Sequence, residues 1–272
     1  MRYIPVLTIA GSDCGGGAGI QADIKTISAL GCYAASVVTA VTVQNTVGVS
    51  GVDLVRPETV AAQIRAVMDD IRPVAVKIGM AGDAATMCAI AGALKAYGPE
   101  AVVVDPVMVS TSGHTLMLPD AIGAFRRYLV PLATLLTPNV PEAEVLSGLT
   151  VSDEASCGMA GRALACGCGC PVLIKGGHFG GTVKSDRLYA ADGSLAGTYT
   201  SEAVDTPNTH GTGCTLSSAI ACFIARGLPL ADAVRQAKAY VTEALKAGRG
   251  VEIGQGHGPV NHFFNPEKML KV

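Results

Sequence analysis

The chain of 272 residues contains no tryptophan, and only 4% of it is aromatic. Alanine, valine, isoleucine and leucine must therefore fill the interior, which suits close packing of helices on a sheet better than a β-sandwich. Charge is scarce as well: 15% of residues are charged and the formal net charge is −2. Nucleic-acid binding relies on clustered lysine and arginine, so no nucleic-acid partner is expected and any phosphate site must be local. No window approaches the ~20 apolar residues that span a bilayer. The apolar run at residues 4–10 is too short for a secretory signal before Asp13 and the following glycines break it. No membrane partner is expected. The nine cysteines are odd in number and scattered, which without a secretory signal points to reduced thiols in the cytoplasm. Cys166-Gly167-Cys168-Gly169-Cys170 lacks the second ligand pair that a structural zinc site uses, so its glycines are expected to end a helix instead.

What is present is apolar: 49% of the chain, ample for a deep core. Strand-length runs at 6–10, 36–42, 74–78, 101–104, 133–137 and 171–175 alternate with helical patterns at 20–30, 57–71, 84–97, 120–129 and 154–165. Two more helices are expected after Cys214 and over 230–247, and Asp192-Gly193 splits a hairpin at 183–189 and 195–200. Strands followed by helices at this rhythm imply βαβ units. The expected fold is a three-layer α/β/α sandwich with a mostly parallel central sheet. With no low-complexity linker or repeat, a single domain over 1–272 is expected.

Gly11, Gln44, Gly79, Asp105, Asn139 and Lys175 each fall at or just past the C-terminal end of a candidate strand. In open α/β sheets ligands bind in the crevice at that edge, so these residues outline a site. The loop Gly15-Gly16-Gly17-Ala18-Gly19 fits neither the Gly-Lys-Ser/Thr phosphate loop nor the dinucleotide fingerprint. The residue ending the next strand is Gln44, an amide rather than a ribose-binding carboxylate.

The most informative stretch is Asn208-Thr209-His210-Gly211-Thr212-Gly213-Cys214, where a small-residue loop runs into an apolar helix. The first turn of a helix leaves backbone N–H groups unpaired at its mildly positive end, and glycines let a polyphosphate approach them. Cys214 lies at the lip of that anion cradle. Free cysteine is often an inert filler, but a thiol at a helix N-terminus is where thiolate is expected to form. A general-base role and a hydroxyl-positioning role for Cys214 both remain open. Lys175, followed by two glycines, can reach phosphates and offset charge developing during transfer; the plain alternative is a solvated lysine. Asp105 has the plain role of a loop cap, and Glu142 that of a helix-dipole partner. His257 and His262 read as structural.

The glycine-cysteine stretch resembles the anion hole of the ribokinase-like kinases, in the form carried by the hydroxymethylpyrimidine/phosphomethylpyrimidine kinases of thiamine biosynthesis. The resemblance runs from end to end. It includes Ala10-Gly11-Ser12-Asp13, Gly16-Gly17-Ala18-Gly19-Ile20-Gln21-Ala22-Asp23, Gln44-Asn45-Thr46, Lys77-Ile78-Gly79-Met80 and Asp105-Pro106-Val107-Met108. Thr137-Pro138-Asn139 with Glu142, Lys175-Gly176-Gly177-His178 and Gly258-Pro259-Val260-Asn261-His262-Phe263 complete it. Cys14 stands where the family usually has proline.

The resemblance implies an ATP- and Mg²⁺-dependent kinase of 4-amino-5-hydroxymethyl-2-methylpyrimidine and its monophosphate, and a homodimer. It further implies an acceptor pocket of Gly11, Asp23, Gln44, Met80 and Val107. Nucleotide would lie on Asn139, Lys175, Gly211, Thr212 and Gly213, with Mg²⁺ near Asp105 and Glu142 and with Cys214 and Lys175 as the catalytic groups. Pyridoxal kinase is the nearest alternative. A non-catalytic pyrimidine sensor and a cysteine-based transfer enzyme are more distant ones.

Overall fold

The computed structural model describes residues 1–110, 113–117 and 120–272. Its strands are β1 (Pro5–Asp13), β2 (Tyr33–Gln44), β3 (Val49–Leu54), β4 (Ala75–Ile78), β5 (Ala101–Val104), β6 (Leu135–Leu136), β7 (Val172–Ile174), β8 (Val183–Tyr189) and β9 (Leu195–Glu202). They form one sheet in the order β3-β2-β1-β4-β5-β6-β7-β8-β9. Neighbours from β2 through β7 pair in parallel, while β3, β8 and β9 join antiparallel at the two margins.

Side chains alternate across a strand, so each apolar run feeds both faces of the sheet. Leu7, Ile9, Val76, Ile78, Val102 and Val104 pack on one face, with Val60 and Ile64 of α2 (Pro57–Asp70) and Met87, Ile90 and Leu94 of α3 (Ala84–Tyr97). Val6, Ala75, Ala101 and Val103 pack on the other, with Ile27 of α1 (Gly19–Ala29), Leu216 and Ile220 of α7 (Thr212–Ala225) and Val234 and Val241 of α8 (Leu230–Gly248). Helices thus cover both faces, as continuous apolar runs in parallel strands require. Each fully buried leucine or isoleucine contributes roughly 1.5–3 kcal/mol.

Four elements differ from expectation. The 120–129 helix begins as α4 (Ala121–Ala124) but continues as a π-helical turn over Phe125–Leu129 and a short 3₁₀ turn at Val130–Leu132, where Pro131 removes a backbone donor. β6 has two residues instead of five. β3 and the helix α5 (Val140–Ser147) were absent from the expected elements. β3 buries no residue fully, its apolar residues Val49, Val52 and Leu54 form no continuous run, and it pairs only with β2, so no apolar run announces it. The cysteine-glycine run closes α6 (Glu154–Cys168) at Gly169, which takes the left-handed conformation. No group of three metal-ligating side chains gathers among the described residues, and among them no helix is long and apolar enough to cross a membrane.

Candidate active site

The strand ends deliver their polar residues to one edge, because β1, β2, β4, β5, β6 and β7 run in the same direction. Gln44 is the last residue of β2, and Gly79, Asp105 and Lys175 each follow the last residue of β4, β5 and β7. Asn139 lies just past β6 and bridges to Lys175. Gly11 sits where the β1–β2 register slips between Ala10 and Ser12, a bulge of the kind that re-aims side chains beside sites. A Cβ built on Gly11 would stand 3.0 Å from Met80 Sδ, which places these two pocket candidates in contact. Val107 has φ +38°, a left-handed value that strains a β-branched residue. Such strain, of order 1–3 kcal/mol, concentrates at functional sites.

The charged centre is a carboxylate–ammonium cluster. Lys175 Nζ lies 2.6 Å from Asp105 Oδ1 and 3.8 Å from Glu142 Oε2. Thr137 Oγ1 donates to Asp105 Oδ1 at 3.2 Å and Ser217 Oγ to Asp105 Oδ2 at 3.3 Å. Burial opposes the Lys175 charge, but Asp105 and Glu142 outweigh it and hold its pKa above the usual lysine value. Burial pushes the Glu142 carboxyl up, against the pull of Lys175.

Glu142 also performs the plain role open to it. It is the third residue of a capping box, accepting from Asn139 N at 2.8 Å while its own N–H donates to Asn139 Oδ1 at 2.9 Å. Its other oxygen accepts from Met108 N at 3.2 Å, which ties the Asp105–Met108 segment to α5. Two oxygen-donor carboxylates fit a hard cation that keeps most of its water and shares phosphate oxygens.

The glycine loop expected to cradle an anion leads directly into the first turn of α7. Gly211 is the N-cap of α7 with φ +78°, and offers the helix end no side chain. A Cβ there would fall 1.9 Å from Gly17 O, so only glycine lets this loop pack on the glycine loop after β1. A Cβ on Gly213 would lie 3.5 Å from Lys175 Nζ and 3.6 Å from Asp105 Oδ2. The first turn of α7 therefore faces the charged cluster directly. Thr212 Oγ1 instead donates to Thr209 O and closes the loop. The tail is part of this wall: His210 N donates to Gly258 O at 3.0 Å, and His262 Nε2 lies 3.1 Å from Thr215 Oγ1. His262 is buried in that structural role.

Two expectations change. The Cys214 thiol does not become acidic. Burial pushes it up to about 11, and Asp23 and Asp105 add to the shift, while Lys77 and the Gly19 N–H pull less strongly the other way. Burial outweighs the helix end at this half-buried side chain and favours the neutral thiol. Asp23 does not line an open pocket either. It is wholly buried, with Lys77 Nζ at 2.8 and 3.0 Å, Thr8 Oγ1 at 2.6 Å and Ser218 Oγ at 2.7 Å. Ser218 lies one turn after Cys214 on α7, so the Asp23–Lys77 pair underlies the thiol.

Lys77, Asp13 and His210 are the residues that sequence reasoning left without a role. A lysine in the centre of the apolar run Val74-Ala75-Val76-Lys77-Ile78 was the available signal, since a buried charge demands a partner. Asp13 accepts N–H bonds from Gly15, Gly17 and Ala18 at 2.8–3.0 Å and lies 3.0 Å from His210 Nε2. Burial alone would raise its pKa, but the bonds from His210, Ala18 and Gly15 hold it below the usual carboxylate range. Cys14, in the family's proline position, donates its S–H to Gln44 O at 3.0 Å, so a thiol replaces ring stiffness with a tether. A groove of about 410 Å³ between β9 and α8 is lined by none of these residues. Its lining includes the charged side chains Glu202, Arg235 and Lys238.

Comparison with known proteins decides the family. The model of the family described as phosphomethylpyrimidine kinase matches residues 13–261. The chain belongs to that family. It is 50% identical over 258 residues to a hydroxymethylpyrimidine/phosphomethylpyrimidine kinase of Rhizobium meliloti, covering 94% of this chain and 96% of the relative. A crystal structure of phosphomethylpyrimidine kinase from Clostridium difficile superposes with TM-score 0.78 at 43% identity, covering 89% of this chain and 99% of that one. An ADP complex of Bacillus subtilis pyridoxal kinase superposes with TM-score 0.87 at 33% identity, covering 96% and 98%. The fold of this phosphomethylpyrimidine kinase family member is the ribokinase-like α/β fold, mostly parallel, and the family shares its backbone with pyridoxal kinases.

Proposed function

We propose that this kinase transfers the terminal phosphoryl group of ATP to the hydroxymethyl oxygen of 4-amino-5-hydroxymethyl-2-methylpyrimidine, and then phosphorylates the monophosphate to the diphosphate, in thiamine biosynthesis. The observation that carries the reading is the cradle of Gly211, Thr212 and Gly213 facing Lys175 and Asp105. Backbone N–H groups of the first α7 turn hold the transferring phosphate, and the Lys175 ammonium offsets the charge that spreads over its oxygens. Asn139 fixes the start of α5 beside the nucleotide. Mg²⁺, for which Asp105 and Glu142 supply the carboxylates, would neutralise phosphate charge.

Gly11, Gln44, Met80 and Val107 line the acceptor side, while Asp23 acts from behind by holding Lys77. The neutral Cys214 thiol orients the acceptor hydroxyl toward the phosphorus. A loose transition state needs little base strength at that oxygen. The enzyme reads as one cytoplasmic domain over 1–272.

Gln44 sets the choice between heterocycles. Its carboxamide carries both a donor and an acceptor, matching a ring nitrogen beside an exocyclic amino group, a paired pattern that pyridoxal lacks. Gln44→Met should weaken use of the aminopyrimidine about 10- to 100-fold in kcat/KM and change pyridoxal use much less. The measurement is kcat/KM for both alcohols in wild type and variant with a coupled ATP assay. Equal losses on both substrates would remove Gln44 from recognition and leave pyridoxal kinase, which shares this backbone, as the better reading. Tight pyrimidine binding without turnover would instead make the protein a sensor.

The exposed side of β2 supports the homodimer. Val41 and Val43 point to the same face, are 49% and 56% exposed, and sit beside the unpaired margin of β3. Burying such a surface against a second copy removes an edge liability. Light scattering should give about twice the 27.6 kDa chain mass for wild type and a lower mass for Val43→Glu. A wild-type monomer would overturn this arrangement.

A further inference from the structure

Behind Gln44 lies a chain of polar contacts that the proposed reaction does not use directly. The Gln44 carboxamide is placed with its Nε2 3.3 Å from His210 Nε2 and its Oε1 3.1 Å from Thr42 Oγ1. The two ends have the same shape, so the hydrogens of their neighbours decide which is oxygen. Asp13 Oδ2 lies 3.0 Å from His210 Nε2, and a carboxylate only accepts, so that nitrogen carries a hydrogen. An NH₂ group placed against it would set donor against donor.

The Thr42 end gives the same answer independently. Thr42 Oγ1 donates its single hydrogen to Ser12 O at 2.9 Å, a carbonyl that can only accept. What lies beside the hydroxyl oxygen must then be a donor. Both ends demand the NH₂ toward Thr42 and the oxygen toward His210. The imidazole has little freedom to relax this constraint, because a Cβ on Gly17 would lie 2.4 Å from its Cδ2. His210 is thus packed closely against the glycine loop that Asp13 also organises.

We propose that His210, held by Asp13, is a specificity-determining residue that locks the Gln44 carboxamide with its oxygen toward the imidazole and its NH₂ toward Thr42. Each end keeps one free position for a ligand. A heterocycle must therefore place a donor on the His210 side and an acceptor on the Thr42 side. An aminopyrimidine satisfies this with its amino group toward His210 and its ring nitrogen toward Thr42. A ring offering acceptors at both positions meets one unpaired lone pair. The proposal rests on Gln44 reading the heterocycle, as set out above.

The test combines a spectrum with a binding cycle. In the wild-type protein, NMR cross-peaks should connect the Gln44 side-chain NH₂ protons to the Thr42 side chain, with His210 Nε2 appearing as a protonated nitrogen. Cross-peaks to the His210 ring, or an unprotonated Nε2, would overturn the proposal whether or not any variant folds. Calorimetric binding of 4-amino-5-hydroxymethyl-2-methylpyrimidine is then measured for wild type, His210→Ala, Gln44→Met and the double variant. His210→Ala should weaken binding about tenfold when Gln44 is present and less than about twofold when Gln44 is methionine, the signature of coupled neighbours. The same loss in both backgrounds would show that His210 merely supports the anion loop. Unchanged affinity in Gln44→Met would instead show that the underlying reading of Gln44 has failed, whatever the amide orientation in the spectrum.

Discussion

Cys214→Ala should lower kcat about 10²-fold at saturating ATP, with nucleotide affinity close to wild type. The magnitude is that of a misoriented reacting group, for which a displacement of about 1 Å suffices. Cys214→Ser should retain activity within about tenfold, because a hydroxyl can hold the acceptor by hydrogen bonding as a neutral thiol does. A base role gives a different pattern. With the thiol pushed up to about 11, thiolate would rise tenfold per pH unit across the neutral range. kcat/KM would then climb with unit slope through that range, and serine would be as poor as alanine. The expected profile has no such slope between about pH 7 and 9. Turnover of Cys214→Ala within a few-fold of wild type would leave only the backbone cradle and Lys175 as catalytic.

Lys77→Met should destabilise the protein by about 3–5 kcal/mol, the usual effect of removing one partner from a buried ion pair. The Asp23 carboxylate would be left in the interior with only Thr8 and Ser218 as partners. Urea unfolding measures the loss. The double variant Lys77→Met with Asp23→Leu should recover much of it, since replacing both charges with apolar groups is often near neutral. Its activity should stay low all the same, because the pair underlies Cys214 through Ser218. Recovery of both stability and turnover in the double variant would show that the pair has no part in the site. The two experiments are complementary, because one removes the group at the lip of the cradle and the other its foundation.

The sequence alone determined the layers, the strand direction and the edge at which the polar strand-end residues gather. Continuous apolar runs such as Ala101–Val104 leave a strand no exposed face, and strands alternating with helices imply parallel pairing. Asp105 and Lys175 then had to emerge together, one residue past β5 and β7. The hairpin at Asp192-Gly193 and the glycine-led start of α7 were equally legible, because local backbone geometry dictates both. β3 was not legible, since its exposed residues carry no pattern and only the β2 edge holds it.

The tertiary structure alone decided the charge states and the inner contacts. A helix N-terminus by itself favours a thiolate at Cys214, but burial reverses that preference, with Asp23 and Asp105 adding to it. Asp23 reads as a pocket residue until the fold closes Thr8, Lys77 and Ser218 around it. His210 meets Asp13 and Gln44 across 197 and 166 residues of sequence. Electrostatics and hydrogen bonding depend on distance in space and on exclusion of water, and neither is written in the spacing of residues along the chain.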